Sequence, residues 1–345
     1  MNQAVYVGLS GGVDSSVAAA LLKDQGYHVT AVFMKNWTAD VAGNKCPWEE
    51  DLASARVVAA HLQIPLKIYD FQKEYRAKVA DYMVDAYRRG LTPNPDVMCN
   101  QEIKFRTFYD MCRSEGADFV ATGHYARMHD GQLLRGVDRN KDQSYFLYRM
   151  PHDAAEHALF PVGEYEKSEI RHLAERYDLP TAKRPDSQGL CFVGNVSLKD
   201  FLHEFIDYKP GDIVDDQGHK IGQHDGAFFY TIGQRHGLGV GGGKPYFVYD
   251  KDMAKNEVYV TTDPDSALLN KDRLMAADEY WWQAVEADKV YDVQVRYRST
   301  PVEGRIMRHS DKFEVVFSQT ERAIAPGQSV VIYDGDVVIG GGIIQ

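Results

Sequence analysis

The chain has 345 residues, 44% hydrophobic and 26% charged, with a formal net charge of −11. That length exceeds one compact core and predicts two or three soluble globular domains, and the acidic balance excludes bulk electrostatic binding of nucleic acid, so any such site must be local. The apolar run at 17–22 falls far short of the roughly 20 residues that cross a bilayer, and the opening residues lack a basic start and a cleavable apolar stretch, so the expectation is a cytoplasmic protein without a membrane part.

The first predicted strand is AVYVGL, ending at Leu9. A turn, SGGVDS, and a helix starting near Ser15 follow it. Further strands are read at HVTAVFM from His28 and DFVATG from Asp118, and helices at 52–62, 75–89 and 103–115. Alternation of this kind predicts a parallel sheet with helices on both faces. Helices continue at 168–177 and 198–206, and after Lys209 the texture turns to short β-branched or aromatic strands punctuated by Gly and Asp. The expected division is an α/β catalytic domain over 1–207, a central β-rich domain over 208–270 and a C-terminal β-barrel over 271–345. A second, weaker boundary signal lies around 268–278, and GLGVGGGKP at 237–245 reads as a long hairpin loop.

The turn after the first strand is the strongest local signal. Gly11 and Gly12 stand where Cβ atoms would block a ligand, and a helix N-terminus follows, so backbone N–H groups can face phosphate oxygens. No lysine follows the glycines, which excludes a Walker A loop, and the spacing does not match a dinucleotide fingerprint.

Four cysteines, Cys46, Cys99, Cys112 and Cys191, lie 53, 13 and 79 residues apart, so no CxxC pair exists to grip zinc or an iron–sulfur cluster. Phe105, Phe108 and Cys112 share a helical face, which makes Cys112 a packing residue. Cys46 sits in a polar loop and receives no role. Cys99 and Cys191 are flanked by Pro, Gly or Asn rather than by a periodic apolar face, so either could be a functional thiol.

SGGVDS at 10–15 resembles the pyrophosphate-binding loop of the N-type ATP pyrophosphatases, whose fold is adenine-nucleotide alpha-hydrolase-like. Four later stretches, TPNPDVMCNQEIKF from Thr92, ATGHYAR from Ala121, NKDQSYFLY from Asn140 and DSQGLCFVG from Asp186, resemble one family in particular, the tRNA-specific 2-thiouridylases. YTIGQRHGLGVGG from Tyr230 and PGQSVVIYDGDVVIGGGII from Pro326 extend the likeness over nearly the whole chain. The resemblance implies ATP-dependent 2-thiolation of the wobble uridine of tRNA. The C2 oxygen would be adenylated and then displaced by sulfur from a cysteine persulfide.

It further implies the following roles. Gly8, Leu9, Ser10, Gly11, Gly12, Val13, Asp14, Ser15, Met34 and Gly123 would bind ATP. Cys191 would carry the persulfide, and Cys99 would be its partner, liberating sulfide or forming the resolving disulfide bond. Asp96 would be a general acid or base, and with Asn94 and Pro95 would face the target base. Lys141, Asp142, Gln143, Tyr297 and Arg298 would contact tRNA. A persulfide-carrying sulfur donor protein is implied as a second partner. Magnesium is expected with the polyphosphate, with Asp14 as its neighbour and no protein ligand assigned. His124 alone reads as a structural histidine and is left without a role.

The C-terminal part adds a local signal. Between 289 and 322, seven Lys and Arg face five Asp and Glu, a reversal on an acidic chain. Read as a strand, VRYRS would put Arg296 and Arg298 on one face with Tyr297 opposite, suited to phosphates and stacked bases. A ligase sharing the ATP loop would need no cysteine pair, and a non-enzymatic RNA-binding module would leave both the loop and the thiols unexplained.

Overall fold

The computed structural model describes residues 3–41, 43–186, 197–241 and 243–345. Two compact units divide it. The first comprises 1–80, 95–201 and 336–338, and the second 81–94, 202–335 and 339–345.

The first unit is built on strands β1 (Ala4–Gly8), β2 (His28–Lys35), β3 (Leu66–Asp70), β4 (Phe119–Ala121), β5 (Ala126–His129), β6 (Gln132–Arg135) and β7 (Ala158–Leu159). Five of them form a parallel sheet in the order β3-β2-β1-β4-β7. The chain winds from β1 through helix α1 (Val13–Asp24) to β2, and through α2 (Trp48–His61) to β3, before β4 adds on the other side of β1. The order therefore reverses at β1 and β4, and the crevice beyond their carboxyl ends is where open α/β sheets bind ligands. Val5 and Val7 are fully buried, as β1 with neighbours on both sides requires, and they pack with Val17, Ala18, Ala19, Val58 and Ala121.

Helix α1 begins at Val13 rather than near Ser15, with Gly12 as an extended N-cap. No side chain caps it; instead the hydroxyls of Ser15 and Ser16 donate back to the Gly12 carbonyl at 3.2 and 2.7 Å. The helix expected over 103–115 starts earlier, at Pro95, where a missing N–H costs nothing in the first turn. Its stretch Cys99–Phe108 is π-helical, and Thr107 Oγ1 donates to the carbonyl of Glu102, five residues back, at 2.9 Å. The wider turn is an uncommon form that is frequent at functional sites. As expected, Phe105, Phe108 and Cys112 are buried.

The second unit holds strands β8 (Gly211–Asp215), β9 (Lys220–His224), β10 (Phe247–Asp252) and β11 (Glu257–Thr261), arranged β10-β11-β8-β9. Because β9 and β10 lie at opposite edges of that sheet, the segment 237–245 is not the hairpin loop read from the sequence. Six further strands, β12 (Asn270–Trp281), β13 (Val290–Gln294), β14 (Val302–Arg308), β15 (Lys312–Arg322), β16 (Ser329–Asp334) and β17 (Val337–Ile344), run in the order β12-β15-β14-β13-β16-β17. β17 also pairs with β12, closing the ring into a barrel. Among the described residues no helix is long and apolar enough to cross a membrane.

Candidate active site

The turn between β1 and α1 is held by its own side chains and by two donors from elsewhere in the first unit. Ser10 N–H donates to Ser15 Oγ at 3.2 Å, and the two hydroxyl oxygens lie 3.1 Å apart. The Gly11 carbonyl accepts from Ser54 Oγ at 2.8 Å and from Arg184 Nη1 at 2.7 Å. Arg184 also pairs with Asp51, whose carboxyl burial pushes up and the guanidinium pulls down. That carbonyl is drawn away, and the N–H groups of α1 ahead of Ser16, whose own N–H bonds back to the Gly12 carbonyl at 3.2 Å, have no intrahelical acceptor.

The glycines have different reasons. Gly11 has φ +80°, and a Cβ there would lie 2.5 Å from the Asp51 carbonyl, so the protein itself requires it. A Cβ on Gly12 would meet only Ser10 Oγ, at an ordinary 3.5 Å, so packing within the protein does not demand a glycine there. A Cβ on Gly8 would reach the Met34 methyl at 3.0 Å, and one on Gly123 would lie 2.7 Å from the Ser15 nitrogen. The stretches implied to bind ATP, from β1, α1, β2 and the end of β4, therefore converge on one crevice.

Asp14 lies in a charge network that no sequence spacing announces. Its Oδ1 accepts from Tyr125 Oη at 2.7 Å and from Lys167 Nζ at 2.6 Å. Lys167 bridges onward to Asp186 at 2.9 Å, and Asp186 also takes Arg171 at 2.5 Å and Lys141 at 2.7 Å. Burial works against the Asp186 anion, yet the hydrogen bonds from Lys141 and Lys167 hold its carboxyl well below the usual range. Asp138 joins the same cluster, accepting from the Lys167 backbone N–H at 3.0 Å, so three cations face three carboxylates there. No group of three or more His, Cys, Asp or Glu among the described residues could hold a metal by itself. The one carboxylate on the loop, Asp14, fits a magnesium ion that keeps waters and phosphate oxygens as its other ligands.

Asp96 and Cys99 lie one turn apart on the helix that starts at Pro95. Cys99 is buried, and Asp96 is partly exposed with its carboxyl pushed up by burial and pulled down by Lys104. Asn94, the third residue implied to face the base, is buried and belongs to the second unit by grouping. Cys191 lies outside the described residues.

Of the residues implied to contact RNA, Lys141 is engaged by Asp186. Asp142 is buried, with its carboxylate accepting from Arg135, from the backbone of Gly136 and from both the N–H and hydroxyl of Ser144, at 2.9 to 3.1 Å. Gln143 accepts from the Tyr125 N–H at 3.0 Å. These two lace the loop together, and Lys141 retains a half-exposed side chain. VRYRS does not form the expected strand: β13 stops at Gln294, Arg298 has φ +62°, and Ser299 N–H donates to the Arg296 carbonyl at 3.0 Å. The alternation is replaced by a turn in which the exposed Arg298 guanidinium lies 5.1 Å from the centre of the Tyr297 ring. The basic excess is also partly neutralised locally, since Lys289 pairs with Glu286 and Asp334, and Arg308 with Glu279.

A glycine-rich turn at the switch point of a parallel sheet, followed by β-rich sheets, defines an α/β protein of the open-sheet class that binds ligands at that crevice. Three family models match in succession: one described as tRNA methyl transferase HUP domain over 3–195, one as tRNA methyl transferase PRC-barrel domain over 199–262, and one as aminomethyltransferase beta-barrel domain over 271–344. Curated relatives match end to end. A tRNA-specific 2-thiouridylase of Exiguobacterium sibiricum is 47% identical, with 99% of this chain and 93% of the relative aligned. Proteins of the same description from Pseudomonas paraeruginosa and Listeria monocytogenes are 45% and 46% identical, with 99% of this chain and 94% of each relative aligned. The chain belongs to the tRNA-specific 2-thiouridylase family of sulfurtransferases.

Proposed function

We propose that this protein replaces the C2 oxygen of the wobble uridine of tRNA with sulfur, using ATP. The observation that carries the reading is the convergence of Gly8, Met34, Gly123 and the 10–15 turn on the crevice between β1 and β4, in a chain of this family. ATP would lie across that crevice with its terminal phosphates on the turn. Uracil O2 attacks the α-phosphorus, the bond to the leaving pyrophosphate breaks, and the oxygen becomes part of an adenylate leaving group. The terminal sulfur of a Cys191 persulfide attacks C2 and AMP departs. Cys99 attacks the Cys191 sulfur and breaks its bond to the sulfur now on C2, which leaves with the electron pair as 2-thiouridine, and the disulfide bond between the cysteines is reduced by an external thiol. Magnesium, when bound, neutralises phosphate charge, and Asp14 is placed to meet it.

The division 1–207, 208–270 and 271–345 is proposed to be functional, with chemistry in the first part and RNA-holding surface in the β-rich parts. The Arg298–Tyr297 stack offers a cation beside a π-face, as RNA-binding surfaces use, and Lys141 offers a cation near the crevice. The wobble base would have to leave its stack to reach the thiols. The methyl-transfer wording of two of the family models makes a competing prediction. A methyltransferase would consume a methyl donor and leave ATP intact, and neither the loop nor two thiols would be needed.

The direct test supplies ATP, magnesium, a persulfide donor protein and unmodified tRNA. Nucleoside mass spectrometry should find 2-thiouridine at the wobble position, with AMP and pyrophosphate in step; methylated product, or no sulfur incorporated, would overturn the proposal. Asp14→Ala should lower adenylation by about 10²-fold while tRNA affinity stays nearly unchanged, because a preorganised charge partner is lost at the phosphates alone. Equal loss of both, measured by pyrophosphate release and filter binding, would show that Asp14 acts through the fold.

A further inference from the structure

Arg184 has no part in the reaction scheme above, yet its guanidinium lies against the backbone of the phosphate turn. The three atoms nearest to where a Gly11 Cβ would stand are the Asp51 carbonyl oxygen at 2.5 Å, Arg184 Nη1 at 3.1 Å and Ser54 Cβ at 3.1 Å. The turn is thus packed on the first turns of α2, with Arg184 completing the contact. Arg184 Nη1 and the Ser54 hydroxyl both donate to the Gly11 carbonyl, at 2.7 and 2.8 Å, and Arg184 Nη2 pairs with the Asp51 carboxylate. A rigid guanidinium fork can reach both acceptors at once, where a single ammonium could not hold the same geometry. The main chain of Arg184 is itself fixed: its N–H donates to the Thr181 carbonyl at 2.9 Å, and its carbonyl accepts from Arg171 Nη1 at 2.7 Å.

The Gly11 carbonyl matters because of its place in the helix ladder. It stands four residues before Ser15, so a regular α-helix would give it the Ser15 N–H. Ser16 follows that rule, bonding to the Gly12 carbonyl at 3.2 Å. Ser15 departs from it: Gly11 has φ +80°, and among the described residues its carbonyl takes Arg184 and Ser54 instead. The Ser15 N–H is thereby left for an acceptor from outside the helix, as are those of Val13 and Asp14, which precede any intrahelical acceptor. Two donors, one of them charged, hold aside a carbonyl whose partial negative charge would oppose an incoming phosphate.

Resting on the reading of this turn as the ATP site, we propose that Arg184 is a positioning residue for nucleotide binding: it holds the Gly11 carbonyl out of α1 so that the Ser15 N–H stays open to a phosphate oxygen, and Asp51 keeps the guanidinium on that carbonyl rather than on the nucleotide. Without Arg184 the carbonyl can close onto the Ser15 N–H and complete the helix. ATP would then have to break that bond before the amide could serve it. The loss falls on affinity for the terminal phosphates, because nothing at the α-phosphorus changes once ATP is seated.

Arg184→Met should raise KM for ATP about tenfold in the pyrophosphate-release assay, the worth of one hydrogen bond to a charged group, with kcat at saturating ATP little changed. Inorganic pyrophosphate, followed by calorimetric titration, should weaken by the same factor, while AMP, which lacks the phosphates assigned to the turn, should bind as it does to the wild type. Arg184→Lys should recover only part of the loss. A merely structural role would lower kcat or weaken AMP and pyrophosphate alike, and either result would overturn the inference. Asp51→Asn separates positioning from direct contact. It should weaken pyrophosphate as well, whereas tighter binding would show that the released guanidinium reaches the phosphates itself. Should Arg184→Met fail to fold, Asp51→Asn and Ser54→Ala, which each remove one contact of the same carbonyl or its donor, carry the comparison. Unchanged pyrophosphate affinity in the variants would overturn this inference alone; a wild-type protein that bound neither pyrophosphate nor ATP would overturn the reading of the turn on which it rests.

Discussion

Replacing Cys99 with serine should abolish 2-thiouridine formation while tRNA-dependent release of pyrophosphate from ATP still occurs, up to about one equivalent per tRNA. In the proposed scheme adenylation would need the phosphate turn and Asp96 but no thiol, whereas passage of sulfur to C2 would need a second sulfur to resolve the persulfide. A hydroxyl neither ionises in this range nor forms a disulfide bond, so the thiolation rate should drop by about 10³-fold or more. Cys191→Ser should behave the same way. Cys112→Ser is the contrast. That thiol is buried and its pKa is pushed up, chiefly by burial, so it is protonated packing; the variant should lose stability in a melting experiment and still thiolate. Loss of pyrophosphate release in Cys99→Ser, or full thiolation by it, would remove the cysteine from the proposed step.

Gly123→Ala should disable ATP binding more than any single loss of a side chain in the crevice. The added methyl would lie 2.7 Å from the Ser15 nitrogen, 2.9 Å from the Asp14 carbonyl carbon and 3.0 Å from the Ser15 Cα, all backbone atoms that cannot swing aside. The phosphate turn would have to shift by a substantial fraction of an ångström, enough to cost about 10²-fold in a reaction that depends on alignment. Gly12→Ala separates contact with the protein from contact with the ligand. Its methyl finds room in the protein, so the variant should fold and melt like the wild type yet bind ATP poorly. Calorimetric titration with ATP and a melting curve on both variants test this, and normal ATP affinity in Gly12→Ala would show that no phosphate approaches there.

The parts of this arrangement that a sequence can announce are those set by local chemistry. The strand–turn–helix around Gly11 and Gly12 was legible because glycines at a strand end have few other uses. The start of α1 was read two residues late because its cap is a glycine helped by serines inside the helix, not a capping side chain before it. The helix starts at Pro95, ahead of the 103–115 stretch that the apolar spacing predicts, because proline is at home at a first helical position and the first turns carry no periodic apolar face to announce them. At VRYRS, alternation suggested a strand, and the positive φ of Arg298 overruled it. Lys167 and Asp186 could not be found at all. Lys167 meets Asp14 across 153 positions of chain, and no local pattern distinguishes it from a solvated lysine. Asp186 stood at the head of a quoted motif, but its partners Lys141, Lys167 and Arg171 come together only in the folded unit.

The closed ring of β12 to β17 has a consequence for how the molecule survives damage. Every strand in it pairs with another strand on both flanks, so the ring leaves no open edge strand for a stray extended peptide to copy. Partial loosening at elevated temperature should therefore leave this end of the polypeptide in solution, with clumping seeded from the open four-stranded sheet, whose outer strands β9 and β10 each lack a neighbouring strand on one side among the described residues.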